Sequence, residues 1–202
     1  MGGKKVRIGL VSLLALTAAA HIVLGGIIYK DSPRSLLNRL CLGFALNASL
    51  WSMAVLMVTV QQGYAGALFW IRASHAVAVI TPWFIVAFVY CFSRRERYPY
   101  KKVLFLFLCT LAIAFLSMTP AVIQDVILLP GAKVKVHGAY FPLYTLFFVG
   151  LLLFSLYHIS WQLSLSRGLV RYQIRYFFGG TFLSFILGGL LNLFLPVMGL
   201  SA

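Results

Sequence analysis

Acidic residues are nearly missing from this chain. Three occur among 202 residues, Asp31, Glu96 and Asp125, and each falls between apolar runs. A proton relay or cation site built from carboxylates inside a membrane therefore has no ligands. No lysine lies within an apolar run, which argues against a retinal Schiff base. Cys41, Cys91 and Cys109 stand singly in different runs, with no C-x-x-C pair, so neither a disulfide framework nor a zinc site is indicated. Glycine-rich phosphate loops and H-E-x-x-H spacing are absent. A histidine acting as a base has no buried acid to orient it. These gaps point away from an enzyme and give no ligand set for a metal or cofactor.

What the chain has instead is apolar length. The runs 8–29, 40–60, 67–92, 103–119, 141–164 and 176–198 fill most of it. A spanning helix needs about 20 mostly apolar residues, and only 103–119, with 17 before Pro120, falls short. Mean hydropathy is +0.97 and 62% of residues are hydrophobic, more apolar surface than a water-soluble domain of this length can bury. The expected fold is all-α, a polytopic membrane bundle of six helices forming one domain over 1–202. Six apolar helices exclude a β-barrel and favour the inner membrane of a bacterium. The apolar stretch behind Lys4, Lys5 and Arg7 is too long for a signal peptide and has no clear cleavage site, so 8–29 reads as a retained helix.

A net charge of +14 would suggest nucleic acid as partner of a soluble protein. Here the cations sit beside helix ends, where they retain loops in the cytoplasm and meet anionic lipid heads, so the bilayer is the expected partner and nucleic acid is not. With the N-terminus outside, the cytoplasmic side holds eleven Lys and Arg (Lys30, Arg34, Arg39, Arg94, Arg95, Arg97, Lys101, Lys102, Arg167, Arg171 and Arg175). The other side holds six, Lys4, Lys5, Arg7, Arg72, Lys133 and Lys135. The bias favours an external N-terminus, although the basic N-terminal segment opposes it.

Within the spans a few positions stand out. Gly43, Asn47 and Trp51 wind along the second helix. Pro82 lies near the middle of the third and is expected to kink it. The loop before the fifth span reads as an external hairpin: Val126 to Leu129, then Pro130-Gly131, then Lys133-Val-Lys-Val-His137 in period two. Gly180, Ser184, Gly188, Asn192 and Pro196 recur every fourth residue of the last run, spacing that lets another helix approach closely. Packing is the plainer reading of that stripe; a mobile, proline-weakened element that transmits a signal is the sharper one.

Polar groups inside spans are costly and are candidates for function. Arg72 and His75 are neighbours on one face of the third helix. With Asn192 at similar depth, and Trp70 and Trp83 as walls, they would form a ligand pocket. The competing reading has Arg72 reaching outer headgroups, paired with Asp125, and Trp70 in the interfacial aromatic belt. His21 and His158 stand alone and read as packing histidines.

Several of these positions together form a familiar pattern. Trp51 leads into Leu68-Phe-Trp-Ile-Arg72 and Pro82-Trp-Phe-Ile-Val-Ala-Phe88. A basic loop, a hairpin ending in Gly138, and Ser166-Arg-Gly168-Leu-Val-Arg171-Tyr-Gln173 follow, then Gly179-Gly180 and Asn192 to Pro196. Over roughly 35–202 this resembles the N-terminal seven-helix membrane region of bacterial sensor histidine kinases, also found before diguanylate cyclases. The resemblance implies a sensory input module with an external N-terminus and a seventh helix leading to a cytoplasmic output domain. Here the seventh helix, the phosphoacceptor His box and the ATP-binding segment are lacking, so kinase activity is not carried over; a fragment, a stand-alone remnant or a partner subunit all fit. The alternatives to a sensor are a small transporter or channel, alone or as an oligomer, and a membrane assembly subunit. A sensor of this kind leaves room for a homodimer.

Overall fold

A computed structural model describes residues 2–92, 99–129 and 132–165, with the single positions 167, 168, 171, 172, 175 and 179. Helix α1 runs Gly2–Asp31, α2 Leu36–Val60, α3 Tyr64–Ala78, α4 Ile80–Phe92, α5 Tyr100–Ser117 and α6 Phe141–Leu165. Between α5 and α6 lie strands β1, Ile123–Leu129, and β2, Ala132–His137. Five segments among the described residues are long and apolar enough to cross a bilayer: Ile8–Asp31, Leu36–Val60, Tyr64–Cys91, Tyr100–Ser117 and Phe141–Leu165. The expected all-α membrane bundle is what is seen, with five such spans rather than six. The sixth expected run, 176–198, lies outside the described residues, and with it Gly180, Ser184, Gly188, Asn192 and Pro196.

The outer surface of the bundle is apolar, and its polar side chains are kept within an otherwise apolar interior. Phe115 is 77% exposed, with Leu16, Phe105 and Leu146 also facing outward. Asn47, Ser52, Thr110, Ser117 and Ser155 are buried. That arrangement suits a lipid solvent, which takes apolar side chains and penalises unpaired polar ones. The buried hydroxyls satisfy themselves on their own helices: Ser52 donates to Ala48 O, Thr110 to Leu106 O and Ser117 to Ile113 O, at 2.7–3.0 Å.

The third span is interrupted at a single residue that keeps helical dihedrals, φ −66° and ψ −20°, and whose N–H still bonds His75 O at 3.1 Å. Val79 interrupts it between α3 and α4. Pro82 explains the position: it has no N–H for Ala78 O, and its ring crowds that same carbonyl one turn earlier. Helix α5 starts earlier than the expected 103, directly after Pro99, whose carbonyl accepts from Val103 N at 3.0 Å. Close packing elsewhere depends on missing side chains. A Cβ on Gly25 would lie 2.6 Å from Ala45 Cβ, so α1 and α2 approach closely there, and one on Gly43 would lie 2.7 Å from the Phe84 ring, so Gly43 makes room on α2 for that side chain of α4.

The hairpin is antiparallel, pairing Ile123 with His137 and Val126 with Lys135, with a bulge at Gln124 between Ile123 and Asp125. The expected Pro130-Gly131 turn falls outside the described residues. The hairpin lies against α3, where Ile123 and Val126 join Ala67, Ile71 and Tyr144 in one buried cluster. A second cluster, Leu40, Ala87, Phe88 and Val103, fills the opposite end. There Arg39, one of the presumed topology anchors, donates from Nε to Pro33 O at 2.9 Å and closes the α1–α2 turn.

Candidate functional site

Arg72 occupies the face of α3 beneath the hairpin. Its Nε donates to Ile123 O at 3.0 Å and its Nη2 to Gln124 O at 3.1 Å. The bulge makes these carbonyls available, because the extra residue breaks the ladder where they sit. Arg72 thus fastens the hairpin to the third span. It acts on Asp125 only through space, so the pairing considered from sequence is replaced by two backbone contacts.

Asp125 is held by another partner. The Tyr64 hydroxyl donates to its Oδ1 at 2.6 Å, and Val126 N donates to the same oxygen at 2.6 Å. The Tyr64 bond, then the Val126 bond, hold the exposed Asp125 carboxyl below its ordinary range. A depressed folded-state pKa means that the carboxylate stabilises the fold above the unfolded value of about 4 and loses that contribution as pH falls through the folded value. Thermal midpoints measured from pH 6 to pH 3 should therefore decline less steeply in Asp125→Asn than in the unaltered chain. Parallel curves would dissociate this carboxylate from acid sensitivity.

His75 lies one turn beyond Arg72. Its Nδ1 is 2.8 Å from Ile71 O and carries the proton that bonds there. The ring is 5.7 Å from that of Tyr144 on α6, whose hydroxyl donates to His75 O at 3.0 Å. Trp70 packs edge-on against Phe69, centroids 5.2 Å apart. Arg72 and His75 therefore share the hairpin end of the bundle with Trp70 nearby in sequence. Trp83 does not join them. Eleven residues beyond Arg72 is about 16 Å of helix, and its Nε1 donates to Val103 O at 3.0 Å while its ring meets Phe107 at 4.6 Å. Trp83 belongs to the start of α5, toward the opposite end, and cannot wall the proposed pocket. Asn192 is outside the described residues. His21 bonds within its own helix, Nδ1 to Thr17 O at 2.7 Å, and His158 packs against Phe154 and Tyr90.

A second polar group surrounds the break in the third span. Asn47 on α2 donates from Nδ2 to Thr81 Oγ1 at 2.9 Å. Ser155 on α6, fully buried, donates to Leu151 O at 2.7 Å and lies 3.5 Å from Pro82 O. Trp83 ties the same segment to α5. Asn47 and Pro82, singled out separately in the sequence, thus meet at one place, gripped from three helices. Thr81, Ser155 and Tyr144 were missed because a lone hydroxyl in an apolar run has no spacing signature; only the neighbouring helix shows what it bonds. Lys133 was also missed: its ammonium bonds Val58 O and Gln61 O, the free carbonyls ending α2. Among the described residues no three His, Cys, Asp or Glu cluster as metal ligands.

Comparison with known proteins gives one family. A family model described as the N-terminal 7TM region of histidine kinase matches residues 13–201. No curated protein and no solved structure matches the chain.

Proposed function

Because the chain belongs to the family of N-terminal 7TM regions of histidine kinases, a sensory and non-catalytic input module of a multi-pass membrane protein, we propose that it converts an event at the hairpin end into a change of helix packing at the Pro82 break. The observation that carries this reading is one continuous connection. The hairpin is fixed to α3 by Arg72, α3 leads directly into the Val79 break, and the break is gripped by Asn47, Trp83 and Ser155. Movement of the hairpin is thereby delivered to three other helices at once. The N-terminus and hairpin face outward from a bacterial inner membrane, and the ends of α4 and α6 face a cytoplasmic output domain, as the charge count favours. Pairing of two copies brings two such outputs together.

An element that transmits must have two packings of similar energy, and whatever biases them must contact one better than the other. An interhelical hydrogen bond in a membrane contributes about 0.6–1.7 kcal/mol, so losing Asn47–Thr81 shifts a two-state ratio by roughly 3- to 20-fold. Asn47→Leu and Pro82→Ala, each in the chain joined to a histidine kinase output domain, should change basal autophosphorylation by that order at normal membrane abundance. Pro82→Ala, which restores helix continuity, should also blunt the response. Unchanged basal and stimulated output from both variants would overturn the proposal.

A further inference from the structure

The hairpin carries its charge on the unexpected face. Cross-strand partners point to the same side of a two-stranded sheet. Lys135 pairs with Val126 and His137 with Ile123, and both partners are buried against α3. Lys133, Lys135 and His137 alternate on one face of β2, so that face is turned toward the helix ends. The opposite face offers Ile127 and Val134, 50% and 41% exposed. A solvated surface hairpin would have the reverse polarity.

Lys133 answers for itself by bonding the carbonyls that end α2. His137 lies flat on Phe141 at the start of α6, ring centroids 3.8 Å apart. Phe141 leads on to Tyr144, and Tyr144 to His75. Lys135 is two residues before His137 on the same face of β2, and its charge acts on both His75 and His137. It is half-buried and, among the described residues, has neither a hydrogen bond nor an ion pair. Thr145 Oγ1 is the one sealed side-chain nitrogen or oxygen among the described residues that lacks a partner, so the Lys135 ammonium, which has none, is not sealed off.

The described residues have no acid to spare for this cation. Asp125 is engaged by Tyr64, while Asp31 ends α1 at the other end of the bundle. A half-buried ammonium without a counterion is costly, and an anion from outside offsets that cost through short charge-assisted hydrogen bonds. Burial pulls the Lys135 pKa down, and burial followed by the Lys135 charge does the same to His137, as expected of cations crowded without compensation.

We propose that Lys135 and His137, with Phe141 and Tyr144 as a wall, bind an oxyanion, the phosphate or carboxylate group of a ligand held between the hairpin and helices α3 and α6. The inference supplies the sensory reading with a ligand chemistry and rests on that reading for its consequence alone; binding is measured without signalling. The oxyanion has two sources, a soluble ion or a lipid head.

Both sources are tested on the whole chain in nanodiscs. In phosphatidylcholine discs, inorganic phosphate or succinate is added against chloride of equal ionic strength. In a second series phosphatidylglycerol replaces part of the phosphatidylcholine. A rise in thermal midpoint with the soluble oxyanion identifies a free ligand, and a rise with phosphatidylglycerol alone identifies a lipid head. In either series Lys135→Gln should weaken apparent affinity roughly ten- to a hundredfold, and Lys135→Arg should retain it. Lys135→Gln breaks no bond of the fold, so without anion it should melt at or above the unaltered midpoint. Equal responses of Lys135→Gln and the unaltered chain, no response in either series, or a lower midpoint of Lys135→Gln without anion would each overturn the site.

Discussion

Replacing Gly138 by alanine is expected to detach the hairpin from the bundle. A Cβ at this position would lie 2.3 Å from Ala121 O and 2.4 Å from Pro120 O. Both obstacles are backbone, so no rotamer change relieves them. Retreat is also blocked, because Gly138 N donates to Val122 O at 2.8 Å and Tyr140 N to Ala121 O at 2.9 Å. Accommodating one methyl means breaking these bonds or shifting β1 off Ile71 and Tyr144. Overpacking and lost hydrogen bonds together cost about 2–4 kcal/mol. The control is Gly150→Ala on α6, where a Cβ meets nothing within 4 Å and the expected change is within about 0.5 kcal/mol. Thermal unfolding in one detergent compares them directly. Similar midpoints for the two variants would mean that the Pro120–Gly138 contact does not hold the hairpin.

Removing the Arg72 fork while keeping its stem, as Arg72→Met, should loosen the same region from the other side. Hydrogen bonds from a charged donor contribute about 1.5–3 kcal/mol each. Gln124 is exposed and its carbonyl can turn to water, whereas Ile123 is buried and its carbonyl cannot. A net loss of about 2–3 kcal/mol follows, which is roughly a 30- to 150-fold faster opening of β1. Amide hydrogen exchange reads this locally: β1 amides should accelerate while those of α2 beyond its last turn stay unchanged. Arg72→Lys, with a point charge in place of a planar fork, should fall between. Acceleration spread evenly over all helices, or none at β1, would remove Arg72 from its role as the fastening.

The two variants also show what the sequence made legible. The spans could be read because lipid-facing and buried residues are both apolar, leaving uninterrupted runs. The hairpin could be read because Pro130-Gly131 separates two short runs and Lys133 to His137 alternate. Alternation fixes that two faces differ, not which one is turned inward. That choice follows from where α2 ends, since its free carbonyls draw Lys133 beneath the sheet. Pro82 announced a discontinuity, and the break falls at Val79 because proline damages the turn before it. Grouping Trp83 with Arg72 failed because polar and aromatic residues of one helix separate along its axis by 1.5 Å per residue. Thr81 and Ser155 become a pair of clamps only once α2 and α6 are known to flank α4.

The broken span has one more physical consequence, which concerns the bilayer itself. The segment Tyr64–Cys91 has 28 residues, while its neighbour Tyr100–Ser117 has 18. At 1.5 Å per residue their straight lengths are about 42 Å and 27 Å, on either side of a hydrocarbon core of about 30 Å. One is too long and the other slightly short, and the two are packed together. Thinning the membrane relieves the short helix and forces the long one to bend further at Val79; thickening it strains the short helix and draws the long one straighter. Membrane thickness therefore acts as a mechanical load on the joint that Asn47, Trp83 and Ser155 hold.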